Sequence, residues 1–182
     1  MLHSFIGQIS ERGVAMFREM RRKKQVLCQE DCTAILTQGT SGVLALAGDG
    51  GYPYAVPLSY VYHNGKIYFH CAKSGHKLDA IMRDNKASFC VVNRDEVIPT
   101  EYTSYFRSVI VFGTIHILES NDEKRAAIEK LALKYAPEDT AENRRVSIAQ
   151  EWTSLCILEM TVDYMSGKEA IELVRMRKTH KA

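Results

Sequence analysis

The chain is predicted to be mainly β with peripheral helices, its roughly six antiparallel strands forming a small closed or partly split barrel. Three observations support this class. Short apolar runs recur along the chain, glycine-bearing turns join the first of them, and several runs are apolar on both faces. Closing the sheet would remove the exposed edges that such apolar strands otherwise present.

The first strands follow a short helix. The segment 29–38 carries acidic residues in its first turn and stops at Gly39, which predicts a helix. Gly48-Asp-Gly-Gly51 and His63-Asn-Gly65 both favour tight hairpin turns. They join three predicted strands into an expected antiparallel meander: 42–47, 53–62 and 66–72.

Helices and strands alternate after the meander. Ser74 is expected to cap a helix that runs to Arg83, and Asn121 or Asp122 to cap a longer one. Gly113 interrupts the longest strand and predicts a bulge there. The remaining strands are predicted at 87–93, 105–118 and 154–165, with later helices at 121–135 and 139–150.

The two apolar faces of the strands predict a homodimer. Val109 and Val111 alternate with Ile110 and Phe112 along one strand. One face can fill the barrel, so the other needs a cover of helices or of a second subunit.

Composition is that of an ordinary globular domain: 182 residues, 46% hydrophobic and 25% charged, with a net charge of +2. That charge gives no general reason to expect nucleic acid, and no apolar run reaches the ~18 residues of a membrane span. Five cysteines without a CxxC pair favour reduced thiols in a cytoplasm. We expect one split-barrel domain over 29–182 after a partly helical extension over 1–28, whose start is open among three methionines.

The block Lys66-Ile-Tyr-Phe-His-Cys-Ala-Lys-Ser-Gly-His-Lys77 predicts an anion site, because it reads as a strand that runs into a helix start. The free N–H groups and the dipole of a helix N-terminus favour an anion, and Lys77 adds a positive charge. Aromatic and apolar residues lie just upstream. The pattern therefore indicates a phosphorylated, flat, largely apolar cofactor.

Two residues near this block have open interpretations. Pro57 cannot donate to a strand ladder, so it marks either an edge or bulge, or a gap through which a planar ligand bonds to the backbone. His70 is either a structural strand histidine or a site residue. It lies on a different element from His76 with no third ligand nearby, so no metal is expected.

The known nucleotide and hydrolase motifs are missing from the chain. There is no GxGxxG after a strand, no Walker loop and no GxSxG elbow. A tightly held cofactor fits this pattern better than a side-chain triad.

Three stretches resemble the pyridoxamine 5′-phosphate oxidase-like, FMN-binding split-barrel superfamily, and most closely its branch of nitroimidazole-resistance (Nim-type) flavoproteins. They are Tyr54-Ala-Val-Pro-Leu-Ser59, the Tyr68 to Lys77 block, and Tyr105-Phe-Arg-Ser-Val-Ile-Val-Phe-Gly113. The resemblance covers about residues 16–165.

This resemblance implies a homodimer with two FMN sites at the subunit interface. It implies that His76 and Lys77 hold the phosphate, and that His70 lies near the flavin ring as a proton donor or substrate contact. The other residues implied to contact the flavin are Val56, Pro57, Leu58, Ser59, Cys71, Ala72, Tyr105, Arg107, Ser108 and Val109.

The expected function is therefore an FMN-dependent oxidoreductase that reduces a small electron-poor substrate. Pyridoxamine phosphate oxidase activity itself is not expected, because the arginine- and tryptophan-rich C-terminal segment that grips that substrate has no counterpart here. Two alternatives stay open: a haem-binding split barrel with His70 or His63 as axial ligand, and a non-enzymatic flavin sensor. Nucleic-acid binding through the basic run from Arg18 to Lys24 is the weakest alternative.

Overall fold

The computed structural model describes residues 17–179, which contain seven strands and five α-helices. The strands are β1 (Ser41–Ala47), β2 (Pro53–Ser59), β3 (Val61–His63), β4 (Lys66–Ala72), β5 (Lys86–Ile98), β6 (Thr103–Ile117) and β7 (Leu155–Glu169). The helices are α1 (Gln29–Gln38), α2 (His76–Arg83), α3 (Asn121–Tyr135), α4 (Ala141–Glu151) and α5 (Ile171–Thr179). Within this range, none of the helices is both long and apolar enough to cross a membrane.

All seven strands belong to one antiparallel sheet in the order β2-β1-β5-β6-β7-β4-β3. The predicted strand 53–62 is instead two strands, because the chain leaves the ladder at Tyr60. β2 pairs with β1 and β3 pairs with β4, so the two pieces lie at opposite ends of the sheet. The expected three-stranded meander and the count of about six strands were therefore wrong, whereas both hairpins were confirmed.

The sheet curves into a barrel that stays open along one seam. Its two end strands, β2 and β3, are consecutive in the chain, so the ends of the sheet must approach each other. β2 contacts β4 although no ladder joins them. This confirms the split barrel, and the five helices make the fold mixed α/β where a mainly β protein was expected.

Alternating side chains fill the barrel, and helices α1 and α2 contribute to the same core. β1 follows the strict alternation of a strand with one face inside, and Phe69, Phe89 and Ile115 are fully buried. At Gly113 the pairing of β6 with β7 shifts by one residue, which confirms an irregularity there, although the extra residue is Asp163 of β7 and not a residue of β6. A Cβ at Gly113 would lie 2.0 Å from the carbonyl oxygen of Thr161, so only glycine fits.

Several predicted boundaries move by a few residues. α1 has the expected bounds, but α2 begins after Gly75, whose φ of +125° suits glycine, so Ser74 is not its cap. Ser120 caps α3 by accepting a hydrogen bond from the N–H of Glu123, in place of Asn121 or Asp122. β5 and β7 are longer than expected, since cross-strand pairing carries both through polar residues that the alternation pattern could not identify.

The expected extension over 1–28 lies partly outside the described residues. From Phe17 onward it contains one short 3₁₀ turn, Lys23–Gln25. The N–H of Leu27 donates to the carbonyl of Gly167 at 2.9 Å, and Leu27 is buried in the core. This end of the segment therefore packs on β7.

A buried ionic cluster ties the C-terminal half together. The carboxylate of Glu169, at the end of β7, is fully buried and accepts hydrogen bonds from Arg107 at 3.0 and 3.2 Å. Arg177 of α5 donates to the same carboxylate and to Asp31 of α1. The Glu169 carboxylate thereby connects β7 to β6 and α5, and Arg177 extends the cluster to α1.

Replacing Glu169 with Gln is expected to lower the free energy of unfolding by about 2–3 kcal/mol, because two guanidinium groups lose their shared counter-charge. The loss stays below the ~3–5 kcal/mol of a fully buried broken pair, since both arginines reach solvent. Urea denaturation measures it. Glu142→Gln, which breaks the exposed pair with Arg145, is the control and should change stability little. Equal effects of the two variants would contradict the buried role of Glu169.

Candidate functional site

The seam is bordered on one side by β2, an end strand of the sheet. Pro57 lies opposite Val43 of β1 and is exposed, which confirms the edge-strand interpretation of this proline. Val56 and Leu58 turn toward the barrel core, while Pro57 and Ser59 lie on the outer face. None of the strands within residues 17–179 lies along the other edge of β2, which leaves its backbone groups there open to a ligand.

The second border of the seam is the C-terminal half of β4. β3 pairs with residues 66–68, and no strand of the described part of the chain pairs with 69–72 on that side. His70 and Ala72 lie on the outer face, whereas Cys71 points inward beside Cys156. Burial raises the pKa of the Cys71 thiol to about 11, against an opposing effect of the nearby Lys77 ammonium.

The start of α2 brings two basic side chains, His76 and Lys77, to the end of β4. His76 stacks on the ring of Tyr54 with centroids 4.1 Å apart, and its Nε2 lies 3.4 Å from the carboxylate of Asp49. His76 therefore joins α2 to the β1–β2 turn. Lys77 is half-buried and makes no ion pair or hydrogen bond with any residue in the range 17–179. Of the two residues predicted to hold a phosphate, Lys77 alone has its charge free.

A cavity of about 390 Å³ lies where the seam meets α3 and α4. Ser59 at the end of β2 and His70 on β4 both open into it, although their strands do not pair. Two helices that sequence reasoning treated only as cover supply most of its wall. The other lining residues are Ile128, Leu131, Ala132, Tyr135, Ser147, Ile148, Glu151 and Leu155.

The C-terminal end of α3, which forms part of the cavity wall, is attached by hydrogen bonds to Tyr60, the residue between β2 and β3. The Tyr135 hydroxyl accepts a hydrogen bond from the N–H of Tyr60 at 2.8 Å and contacts the carbonyls of Thr40 and Tyr60. Lys134 donates to the carbonyl of Gly39 and lies 4.2 Å above the Tyr60 ring. Burial lowers the pKa of Lys134. Sequence reasoning missed this contact, because Tyr135 carried no signal beyond its place on a helix.

The β6 residues that the resemblance places near a flavin lie away from the seam of their own protomer. β7 separates β6 from β4, while β1 and β5 separate it from β2. Tyr105 is buried and donates to Glu101 at 2.9 Å, Arg107 binds Glu169, and Val109 fills the barrel. Ser108 is the one of the four that lies half-buried on the outer face.

The outer face of five strands is apolar over two cross-strand rows. One row contains Pro57, Val43, Cys90, Ile110 and Ser166, which are paired in register from β2 to β7. The next row contains Ala55, Ala45, Ser88, Phe112 and Tyr164. Val43, Ile110 and Phe112 are 38%, 40% and 37% exposed, which is high for apolar residues inside a sheet.

Fold and seam together define a split-barrel protein with a candidate ligand site at its open edge. The family model described as pyridoxamine 5′-phosphate oxidase matches residues 29–169. The chain belongs to this pyridoxamine 5′-phosphate oxidase-like split-barrel family, in which flavin binding is typical. A search of curated protein sequences finds no match.

Solved structures share the fold at low sequence identity. A candidate 5-nitroimidazole antibiotic resistance protein from Bacteroides thetaiotaomicron aligns with a TM-score of 0.66 and 20% identity, covering 79% of this chain and 86% of that one. A FAD-binding protein from Mesorhizobium loti gives 0.59 and 24%, covering 80% and 97%. A FAD- and haem-binding protein from Mycobacterium smegmatis gives 0.67 and 22%, covering 81% and 73%.

Proposed function

We propose that this protein is an FMN-binding oxidoreductase that reduces a small electron-poor substrate such as a nitroimidazole or another nitroaromatic compound. One observation carries the proposal: His70 opens into an apolar cavity at an unpaired seam, within a few residues of a lysine whose charge is free. The similarity in fold to a candidate 5-nitroimidazole resistance protein supports the substrate class.

The residues along the seam fit FMN in its two chemical parts. The free backbone edges of β2 and of 69–72 on β4 can hydrogen-bond to the polar rim of a planar ring. Lys77, in the first turn of α2, is suited to the phosphate, because helix N–H groups and the ammonium act on the same anion. FMN, when bound, would supply hydride or electrons to the substrate.

His70 has the proton-transfer role in this proposal. Its imidazole is exposed on β4 and faces the cavity, so a substrate bound there would lie within reach of a ring nitrogen. A histidine in such a position can donate the proton that a reduced nitrogen or oxygen atom requires. The apolar side chains beside it lower the local polarity, which strengthens such a hydrogen bond.

We also propose that a second copy of the chain covers the apolar outer face. Phe17 already packs on Phe112 and Tyr164 in the second of the two cross-strand rows. Burying the rest of the surface against a partner would remove Val43, Ile110 and the exposed part of Phe112 from water. Such a dimer is the arrangement in which Ser108 could approach a flavin, since β6 is remote from the seam of its own protomer.

The test of the cofactor is the absorption spectrum of the purified protein before and after adding FMN, with any released chromophore identified. Flavin bands that sharpen on binding are expected. A protein that stays colourless and ignores both FMN and FAD would overturn the proposal. If the protein binds flavin but no electron donor reduces it and no nitroaromatic compound reoxidises it, a flavin sensor is indicated instead.

Lys77→Ala is expected to weaken FMN binding by about 1–3 kcal/mol, on the order of 5- to 150-fold in Kd, because a charged hydrogen bond to the phosphate is lost. Fluorescence titration of flavin-free protein measures the change. Riboflavin, which lacks the phosphate, should bind both proteins equally.

Lys73→Ala is the matched control for that variant. It removes the same charge from the exposed turn just before α2, so it should leave the Kd for FMN nearly unchanged. Retention of full FMN affinity in Lys77→Ala, or an equal loss with riboflavin, would contradict the phosphate assignment.

His70→Ala is expected to retain flavin and to lower kcat on the order of 100-fold, because a positioned proton donor contributes at least that much. Steady-state turnover of a nitroaromatic substrate measures kcat, and the flavin content is measured on the same sample. His63→Ala, an exposed histidine on β3, is the control. If His70→Ala loses flavin with no separable effect on turnover, His70 is a structural contact.

A haem-binding split barrel is the second candidate function. His70 in an apolar cavity favours it, because haem sites combine an axial imidazole with apolar walls. The structural neighbour from Mycobacterium smegmatis, described as binding both FAD and haem, adds support. A Soret band that is present in the protein, persists in His63→Ala and is lost in His70→Ala would put haem first.

A further inference from the structure

We propose that the α3–α4 cavity is the substrate-selecting site, that it takes small, flat, uncharged or cationic molecules, and that Glu151 excludes anions. The assignment to a substrate rests on the proposed oxidoreductase function. The binding preference does not, because it follows from the lining of the cavity.

The size and lining of the cavity set the first limit on its ligand. At about 390 Å³ it lies near the lower end of the ~300–1,000 Å³ range of small-molecule pockets. Its apolar wall comes from both helices and from β7: Ile128, Leu131, Ala132, Ile148 and Leu155. A single-ring aromatic compound fits these walls better than an extended polar molecule.

The charges around the cavity set the second limit. Among its lining residues Glu151 carries the one permanent charge, and neither a lysine nor an arginine takes part. Ser154 Oγ lies 3.2 Å from the Glu151 carboxylate and helps to hold it at the end of α4. An anion entering the cavity would meet this carboxylate without a lysine or an arginine to compensate it.

The cations on α3 are engaged outside the cavity. Lys124 and Arg125 lie 4.8 and 4.7 Å above the ring of Trp152, which follows Glu151. Lys130 donates to the carbonyl of Ala126, and Lys134 to that of Gly39. None of the four lines the cavity, so their positive charge does not offer an anion a direct contact.

The seam therefore has two electrostatically different ends. Lys77 lies beside Cys71 at the start of α2, where an anion is favoured, whereas Glu151 at the end of α4 lines the cavity into which His70 opens. A phosphorylated molecule would bind by its phosphate at the first end. A molecule that fills the second end must be neutral or cationic, which excludes phosphorylated substrates from the cavity.

Three probes of nearly equal size test the charge preference: 4-nitrobenzyl alcohol, 4-nitrobenzylamine and 4-nitrobenzoate. Binding is measured by ligand-observed NMR on flavin-free and FMN-loaded protein, and kcat/KM on the loaded protein. The alcohol and the amine should bind on the order of 10-fold more tightly than the benzoate, as expected for one partly screened charge a few ångströms away. Equal binding of all three probes would overturn the proposal.

Glu151→Gln should make the three affinities more nearly equal, because 4-nitrobenzoate should bind more tightly and 4-nitrobenzylamine more weakly. Glu142→Gln, in the first turn of the same helix, changes the net charge equally but does not line the cavity, so it should preserve the order. An unchanged order in Glu151→Gln, or the same effect from both variants, would contradict the role of Glu151.

Ala132→Phe should fill the cavity and abolish binding of all three probes, with FMN still bound. Leu133→Phe, on the exposed side of the same helix, should bind them normally. If probe binding follows the expected order but the protein never takes up flavin, the proposed function fails and the cavity site stands. If FMN is bound and the probes are reduced, yet Ala132→Phe has no effect, the cavity proposal is the one that fails.

Discussion

The site depends on the break in strand pairing at Tyr60. A continuous strand over 53–62 would lie in one place in the sheet. Because the chain leaves the sheet at Tyr60, β2 and β3 lie at opposite ends of it. Tyr135 holds that break by bonding to the backbone of Tyr60, which satisfies groups that the missing ladder leaves without partners. The same side chain lines the cavity, so the contact at the split of the barrel also positions the wall of the candidate site.

An unpaired seam ordinarily favours aggregation, because the free backbone groups of a strand edge can pair with strands of other chains. Here the residues around the seam reduce that risk. Pro57 removes one donor from the edge of β2, and α3 and α4 cover the end that contains Ser59 and His70. What stays open is a short length of backbone between an apolar cavity and the start of α2. Under the proposed function, a flat ligand with a charged tail would contact both these backbone groups and Lys77 there.

Local signals in the sequence predicted most elements, and long-range contacts explain the failures. The acidic first turn of α1 and the Asn64-Gly65 turn are determined within a few residues, and both were predicted correctly. At the split of 53–62 the backbone of Tyr60 bonds to Tyr135, 75 residues away, and a local pattern does not predict such a contact. The block from Tyr68 to Lys77 predicted a strand that runs into a helix start, which β4 and α2 confirm, while the site roles of His70 and Lys77 stay predictions. It could not predict the cavity, because the wall comes from helices whose apolar residues look like ordinary core.

Arg107 forms an ion pair inside the fold, although the resemblance implies that it contacts the flavin. By residue type it is suited to a phosphate, yet its guanidinium binds the fully buried carboxylate of Glu169. Moving it to a ligand would leave that carboxylate with Arg177 alone, at a cost typical of an uncompensated buried charge. Arg107 therefore stabilises the junction of β6, β7 and α5, and its contribution to a bound phosphate is expected to be indirect. Since Lys77 has no such obligation within the described chain, the difference in affinity between FMN and riboflavin should depend on Lys77 and be nearly insensitive to Arg107 in any variant that still folds.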